Sequence, residues 1–158
     1  MSLSIIEFRI GPHLCALPIG SVQEVLRIAE VTHLPGAPGF VEGALNLRGR
    51  VLPVIDLRRR LGLSPGPFDD STHILITPLR GHHAGLIVDE VNRVAEIDDT
   101  HMGIDPGESL GIDLRCVARV VREEDSLVIV LSLEKLLTEE EGRQFEAAVP
   151  ATHDTEKT

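Results

Sequence analysis

Histidine offers the most direct chemistry in this sequence, because imidazole is a common ligand of zinc and other transition metals. The chain has seven histidines, but no two are spaced four residues apart and no CxxC motif lies near them. His82 and His83 form the one adjacent pair. Consecutive side chains of a regular strand point to opposite faces, so two such imidazoles could not hold one ion. We therefore predict that His82 and His83 are surface turn residues and that the chain has no metal site.

Other residues with catalytic potential lack the partners that catalysis requires. The sequence contains no GxSxG elbow, no glycine-rich phosphate loop and no kinase signature that would locate a nucleophile or a nucleotide. Asp98, Asp99 and Asp105 lack the spacing and the closing Glu of an EF-hand, and a solvated loop is the better interpretation. Cys15 and Cys116 lie in apolar, strand-like segments, which is typical of small buried hydrophobes. An acid–base pair assembled from distant carboxylates stays open, but we predict no catalytic residue, no cofactor and no enzymatic activity.

The composition narrows the class of partner. The net charge is −10, which repels phosphate backbones and anionic membranes. Aromatic residues make up 3% of the chain, without Trp or Tyr, so the side chains that stack on bases or sugars are scarce. No apolar run approaches the ~18 residues of a membrane span, and the first residues do not resemble a secretion signal. These features predict a cytoplasmic protein that binds other proteins, with no nucleic-acid binding and no membrane insertion.

The sequence repeats itself, and the repeat predicts the fold. The segment Val22–Val31 aligns without a gap on Val88–Ile97, with six of ten positions identical. Further on, Val51–Leu61 aligns on Leu127–Leu137 with the same apolar pattern. Around these anchors, each half shows five short runs of strand-like alternation separated by turn residues. The predicted strands are 4–10, 13–19, 24–32, 43–48 and 50–56 in the first half, and 72–79, 83–89, 91–97, 115–121 and 126–132 in the second.

These strands predict an all-β protein of two five-stranded barrels with short connecting helices and a C-terminal helix. We expect a single folded domain over residues 1–149. Its predicted parts are a first barrel at about 4–62, a linker rich in Pro, Gly and Asp at about 63–71, a second barrel at about 72–137, and a helix at about 133–148. Residues 150–158 lack apolar periodicity, and we predict a disordered tail there.

The most informative segment is Gly43–Arg58, which reads as a hairpin followed by a helical turn. Gly49 supplies the conformational freedom that a tight turn needs. Asn46 and Arg48 leave the same face of the preceding strand, and Asp56 could cap a helical turn at 57–61. A purely structural interpretation treats Asp56 as the cap and Arg48 as a solvated edge charge.

This segment resembles the signature of the CheW-like domain, G-x-x-N-L-R-G-x-x-x-P-V-I-D-L-R, and meets every fixed position of it. The resemblance extends from about Ile5 to Leu137. One departure is visible at Leu114–Ala118, where many relatives place a glycine before the final hairpin. The resemblance implies two SH3-like barrels packed around a hydrophobic seam. It also implies a non-enzymatic scaffold that couples chemoreceptors to a CheA-type histidine kinase, at receptor arrays on the inner face of the membrane.

The resemblance also implies which residues bind partners. Members of the family bind the regulatory domain of the kinase through barrel ends, and hold the signalling tip of a chemoreceptor in a groove between the barrels. By motif match, Glu24 and Arg48 fall where the family has a functionally sensitive acid–base pair. Val22, Asn46 and Gly49 flank that pair. These five residues are the candidate partner-binding site.

Several alternatives remain at the level of sequence. A CheW-like adaptor could serve another chemosensory array, one that controls pilus motility, development or a second-messenger output. A double barrel could instead carry a small ligand in the seam between its barrels. A third alternative is a self-assembling structural module, because the edges of sheets can pair with copies of themselves.

Overall fold

The computed structural model describes residues 2–28, 31–64, 66–98, 112–123 and 125–148. Within these residues, the strands are β1 (Ser2–Ile10), β2 (His13–Pro18), β3 (Glu24–Arg27), β4 (Val41–Leu47), β5 (Arg50–Asp56), β6 (His73–Leu79), β7 (His82–Val88), β8 (Glu90–Asp98), β9 (Val117–Glu123) and β10 (Ser126–Leu131). The helices are α1 (Leu57–Arg60) and α2 (Glu139–Ala148), with 3-10 turns at Ile19–Ser21 and Leu114–Cys116. No helix among the described residues is long and apolar enough to cross a membrane.

The described strands form two five-stranded sheets. Sheet 1 has the order β8-β1-β2-β10-β9, and sheet 2 has the order β3-β6-β7-β5-β4. Neighbouring strands are antiparallel except for two parallel pairs, β2 with β10 and β5 with β7. The predicted all-β fold with ten strands is therefore confirmed. Asp98 ends β8, while Asp99, Asp105 and the predicted tail at 150–158 lie outside the described residues.

The sequence repeat corresponds to a structural repeat. Strands β1 to β5 occupy the same relative positions as β6 to β10, so that β3 and β8 each form an edge of a sheet. The parallel pairs are equivalent in register as well, with Val130 opposite Ala16 in sheet 1 and Val54 opposite Gly85 in sheet 2. The order of strands that the repeat predicted is present in both copies.

The boundaries of the two predicted barrels, about 4–62 and 72–137, do not match the sheets. Sheet 1 combines the β1–β2 hairpin with β8, β9 and β10, whereas sheet 2 combines β3, β4 and β5 with the β6–β7 hairpin. The two halves have thus exchanged their first hairpins. A repeat identifies equivalent strands, but it does not tell in which copy each strand finds its neighbours, because equivalent strands offer nearly the same pairing surface.

The buried apolar side chains form three groups, one of which holds the two sheets together. One group lies entirely within sheet 1 and includes Ile5, and a second lies entirely within sheet 2 and includes Ile74. The largest group is shared by both sheets and includes Ile6 and Phe145. Because successive side chains of a strand point to opposite faces, neighbours such as Ile5 and Ile6 reach different groups, and both faces of the strand must be apolar. The shared group is the hydrophobic seam between the two sheets.

The C-terminal helix begins later than predicted. The apolar residues at 133–137 form turns, and α2 starts at Glu139 rather than near 133. Thr138 and Glu141 form a reciprocal capping box, in which the Glu141 amide donates to Thr138 Oγ1 at 3.1 Å and the Thr138 amide donates to Glu141 Oε1 at 2.9 Å. The sequence signal for this start is Thr-x-x-Glu, which apolar spacing alone overlooks.

A buried arginine joins α1 to the C-terminal part of the chain. Arg60 Nη1 lies 2.9 Å from Asp113 Oδ2, and Arg60 Nε donates to the backbone oxygen of Leu136. Arg60 Nη2 lies 3.2 Å from Glu141 Oε1, at ion-pair distance but outside hydrogen-bond geometry. The Arg60 side chain is 4% exposed. This network links the two halves of the chain through charge as well as through the shared apolar group.

The two cysteines are buried and free, as the sequence predicted. Burial raises the pKa of Cys15 to about 12 and the pKa of Cys116 to about 11. Because the thiolate is the reactive species, we expect the folded protein to leave both thiols unmodified by iodoacetamide at pH 8, and the urea-unfolded protein to react at both. Mass spectrometry after a timed pulse of reagent measures this directly. Modification of the folded chain at the rate of the unfolded one would contradict the prediction.

Candidate functional site

The candidate site is built on the tight turn between β4 and β5. Leu47 pairs with Arg50, so Arg48 and Gly49 are the two central residues of a hairpin turn. Both have positive φ, 51° for Arg48 and 85° for Gly49, which is the type I′ geometry that suits the twist of paired strands. The Gly49 amide donates to Asn46 Oδ1 at 3.2 Å. Asn, Asp or Gly normally occupies the position of Arg48, so the backbone of this turn gains nothing from an arginine there.

Arg48 and Glu24 form a bidentate ion pair. Arg48 Nη2 donates to Glu24 Oε1 at 2.6 Å, and Arg48 Nη1 donates to Glu24 Oε2 at 3.2 Å. These hydrogen bonds lower the pKa of Glu24 and raise the pKa of Arg48. The side chains are 69% and 32% exposed, and ion pairs this close to solvent contribute little to stability. A large contribution to stability therefore does not explain the pair.

The pair also connects the two edges of sheet 2. Glu24 begins β3 and Arg48 follows β4, and these strands are the first and last in the order of that sheet. A bridge between Thr32 and Ala44 joins the same edges farther along. The two contacts curl the sheet on itself, which places the turn, Glu24 and the beginning of β5 at one end of the sheet. We call this end of sheet 2 the hairpin end.

The structure brings four of the five predicted site residues into direct contact. Glu24 pairs with Arg48, and Asn46 accepts a hydrogen bond from Gly49 in the same turn. Val22 lies two residues before Glu24, where its amide donates to the Ile19 oxygen at 3.1 Å. Its side chain packs against the apolar group shared by the sheets. Among the described contacts, Val22 therefore packs on the shared apolar group and does not touch the ion pair.

The second half of the motif is structural. Asp56 caps α1, because its Oδ1 accepts from the Arg58 amide at 3.0 Å, which confirms the predicted cap. Burial raises the pKa of Asp56. Arg58 Nε donates to Asp89 Oδ1 at 2.6 Å, and Asp89 Oδ2 accepts from the Gly11 amide at 2.6 Å. Sequence reasoning missed this chain of contacts, which ties α1 to the end of β7 and to the β1–β2 turn.

The prediction that His82 and His83 are turn residues is wrong. They are the first two residues of β7, and both are half-buried. The turn before them consists of Arg80 and Gly81, with φ of 52° and 79°. The turn was misplaced because Arg80, like Arg48, adopts a left-handed conformation, which nothing in the sequence indicates for an arginine.

The first glycine of the motif, Gly43, is required by a close backbone approach. A Cβ atom there would overlap the carbonyl oxygen of Thr32, which accepts from the Ala44 amide at 2.7 Å. We therefore expect Gly43→Ala to break the Thr32–Ala44 bridge and to cost about 1–3 kcal/mol of unfolding free energy, or about 2–12 °C in melting temperature.

The matched control is Gly20→Ala, because no atom lies within 4 Å of a Cβ built on Gly20. Circular-dichroism melts of the two variants and the wild type provide the comparison. Equal melting temperatures for both alanine variants would show that Gly43 has no such steric role.

Comparison with known proteins agrees with this geometry. Residues 4–141 match the family described as the CheW-like domain. The chain is 31% identical over 150 residues to the chemotaxis protein CheW of Bacillus subtilis, covering 92% of this chain and 91% of the relative. It is 42% identical over 90 residues to the protein PilI of Pseudomonas aeruginosa, covering 57% of this chain and 51% of PilI. The crystal structure of the scaffolding protein TtCheW from Thermoanaerobacter tengcongensis superposes with a TM-score of 0.79 at 34% identity, covering 87% of this chain and 89% of that one.

Two five-stranded sheets of SH3-like type, joined by a shared apolar seam and carrying an ion-paired hairpin end, define a double-barrel β protein. The chain belongs to the CheW-like family of chemotaxis coupling proteins.

Proposed function

We propose that this protein is a scaffold without catalytic activity, which couples chemoreceptors to a CheA-type histidine kinase at cytoplasmic receptor arrays. The observation that carries the proposal is the Arg48–Glu24 pair on an exposed type I′ turn. The pair stands at the candidate position implied by the CheW-like signature. The relatives named as chemotaxis protein CheW, and the structure named as a scaffolding protein, support the same role.

We infer which surface meets which partner from the character of each surface and from the family resemblance. The hairpin end presents a rigid turn and a paired charge, which suits a protein interface, and we assign it to the regulatory domain of the kinase. The seam between the sheets is lined by aliphatic side chains. Those side chains are buried and form the core, so the assignment of the chemoreceptor tip to the groove between the barrels rests on the family resemblance. One domain over residues 1–149 serves both partners.

A second candidate is an adaptor of an array that controls pilus motility. The match to PilI favours this candidate, because PilI has a higher identity to the chain than the other relatives described above. The match covers about half of each chain. Both candidates share the scaffold mechanism and differ in which kinase and which receptor they join.

The test is a reconstitution with the purified kinase and a receptor fragment that contains the signalling tip. We expect the protein to bind both separately, to form a ternary complex, and to raise kinase autophosphorylation only when the receptor fragment is present. Incubated alone with ATP, it should release no phosphate. Failure to bind either partner, or ATP turnover by the protein alone, would contradict the proposal. Running the assay with the chemotaxis pair and the pilus pair distinguishes the two arrays.

A further inference from the structure

A second basic feature lies at the hairpin end, beside the predicted pair. Arg50 begins β5 and His83 is the second residue of β7. These strands are parallel neighbours, so both residues lie at the end of sheet 2 that carries the Arg48–Gly49 turn. Arg50 Nη2 lies 2.9 Å from His83 Nδ1. Arg50 is exposed and His83 is half-buried.

This contact fixes the hydrogen-bonding character of both side chains. A guanidinium has only donors, so Nδ1 of His83 must accept, and the ring hydrogen of the neutral imidazole is then on Nε2. Together the two side chains offer N–H groups and no free acceptor. They border a shallow cleft of about 300 Å³, whose other walls include Leu52, Pro53 and Gly81.

The positive charge of Arg50 is not neutralised within the described part of the chain. Two neighbouring arginines of the same end each have a carboxylate, Arg48 with Glu24 and Arg80 with Glu146 at 3.1 Å. Arg50 has the imidazole of His83 as its described partner, and no carboxylate pairs with it there. Within the described residues, Arg50 is therefore a basic side chain at this end whose charge stays available to an anionic partner.

We infer that Arg50 and His83 together bind a carboxylate of the partner, an Asp or Glu side chain of the kinase regulatory domain. The inference rests on the proposed function, and it adds the charge that the Arg48–Glu24 pair cannot supply, since that pair is already neutral. A carboxylate is the matching group because it only accepts hydrogen bonds and fits the fork of a guanidinium. The cleft is small and lies beside the turn, so it suits a single side chain delivered by a docked protein.

The experiment measures binding of the purified kinase regulatory domain by titration calorimetry at several salt concentrations. Arg50→Gln should weaken binding about tenfold or more, because the charged hydrogen bonds between the guanidinium and the partner's carboxylate are lost. It should also reduce the salt dependence of binding. His83→Ala should weaken binding in the same direction. The control is Arg27→Gln. Arg27 is exposed at the end of β3 opposite to Glu24, so this variant removes the same charge away from the hairpin end and should bind like the wild type.

A charge swap identifies the partner group. Arg50→Glu should bind much more weakly than Arg50→Gln, and one Asp→Lys or Glu→Lys change in the regulatory domain should restore its binding. Normal binding by Arg50→Gln, or a loss equal to that of Arg27→Gln, would overturn the inference and leave the proposed function standing. The absence of any rescuing lysine would also overturn it. A wild-type protein that does not bind the regulatory domain would instead contradict the proposed function itself.

Discussion

Replacing Arg48 with glutamate is expected to abolish assembly with the kinase while leaving the protein folded. The change places a second carboxylate beside Glu24, on a side chain position that is 69% exposed. The fold loses only a surface ion pair, which contributes little to stability. At the proposed interface, the neutral pair becomes two carboxylates, and such a change costs on the order of 2–5 kcal/mol of binding, or about 30-fold to several thousandfold in Kd. Pull-downs and calorimetry measure the binding, and thermal melts monitor the fold.

Arg48→Asn separates the side chain from the turn. Asparagine adopts the left-handed conformation of this position more readily than arginine, so we expect a melting temperature equal to or above that of the wild type, together with weakened binding. Arg80→Asn makes the same exchange in the β6–β7 turn, outside the five candidate residues, and reports the combined effect of the backbone change and the loss of a surface ion pair.

The swap Glu24→Arg with Arg48→Glu should recover part of the lost affinity, and a double-mutant cycle gives the coupling energy. Unfolding by either Arg48 variant, or normal binding by Arg48→Glu, would show that Arg48 is not a partner-binding residue.

The largest expected loss of stability comes from Arg60→Met. The substitution keeps most of the volume but removes the buried guanidinium. It leaves Glu141 and the Leu136 backbone oxygen without their cation and, among the described residues, it leaves Asp113 with Arg115 alone. Breaking a buried ion pair by removing one partner costs about 3–5 kcal/mol, which corresponds to a melting temperature lower by about 6–20 °C for a chain of this size. Urea titrations and thermal melts measure the change.

The adjacent Arg59 provides the matched control. Its side chain is 46% exposed and lies 3.5 Å from Glu42, so Arg59→Met should cost less than about 1 kcal/mol. If the two variants melt together, the Arg60 network is not a stabilising feature.

The same network predicts a dependence on pH. Hydrogen bonds from Arg115 and Arg60 lower the pKa of Asp113 well below its usual value. A carboxylate with a lowered folded-state pKa stabilises the fold above its unfolded pKa, which is about 3.9 for aspartate, and loses that contribution as the pH falls toward the folded value. The stability difference between wild type and Arg60→Met should therefore be larger at pH 7 than at pH 3.

Local patterns in the sequence predicted the strands and the turn of the candidate site well. Alternating apolar residues located all ten described strands, and the glycines at 49 and 81 marked tight turns. The pairing of Glu24 with Arg48 was a prediction from the resemblance alone, since nothing local connects residues 24 positions apart. Its role in partner binding stays a prediction.

The features that the sequence did not reveal depend on contacts between distant segments. In the sequence, Arg60 does not differ from its neighbours Arg58 and Arg59. Its burial is possible because two carboxylates from the other half of the chain, Asp113 and Glu141, lie beside it and balance its charge. The exchange of hairpins is hidden for a related reason, because two similar repeats can pair within themselves or with each other. The contact between Arg50 and His83 also requires the parallel pairing of β5 with β7, which joins the two halves.

The exchanged hairpins impose an order on events during synthesis at the ribosome. Sheet 2 has all its strands once Val88 has been made, whereas sheet 1 needs β10, which ends at Leu131. The β1–β2 hairpin is therefore the first part of the chain to emerge, yet its remaining neighbours β8 and β10 are among the last. From the end of β2 to the end of β10, at typical elongation rates, it waits for about 6–23 seconds with apolar side chains on both faces. Nascent chains stalled after Val88 should for this reason be good substrates for chaperones that recognise exposed aliphatic strands.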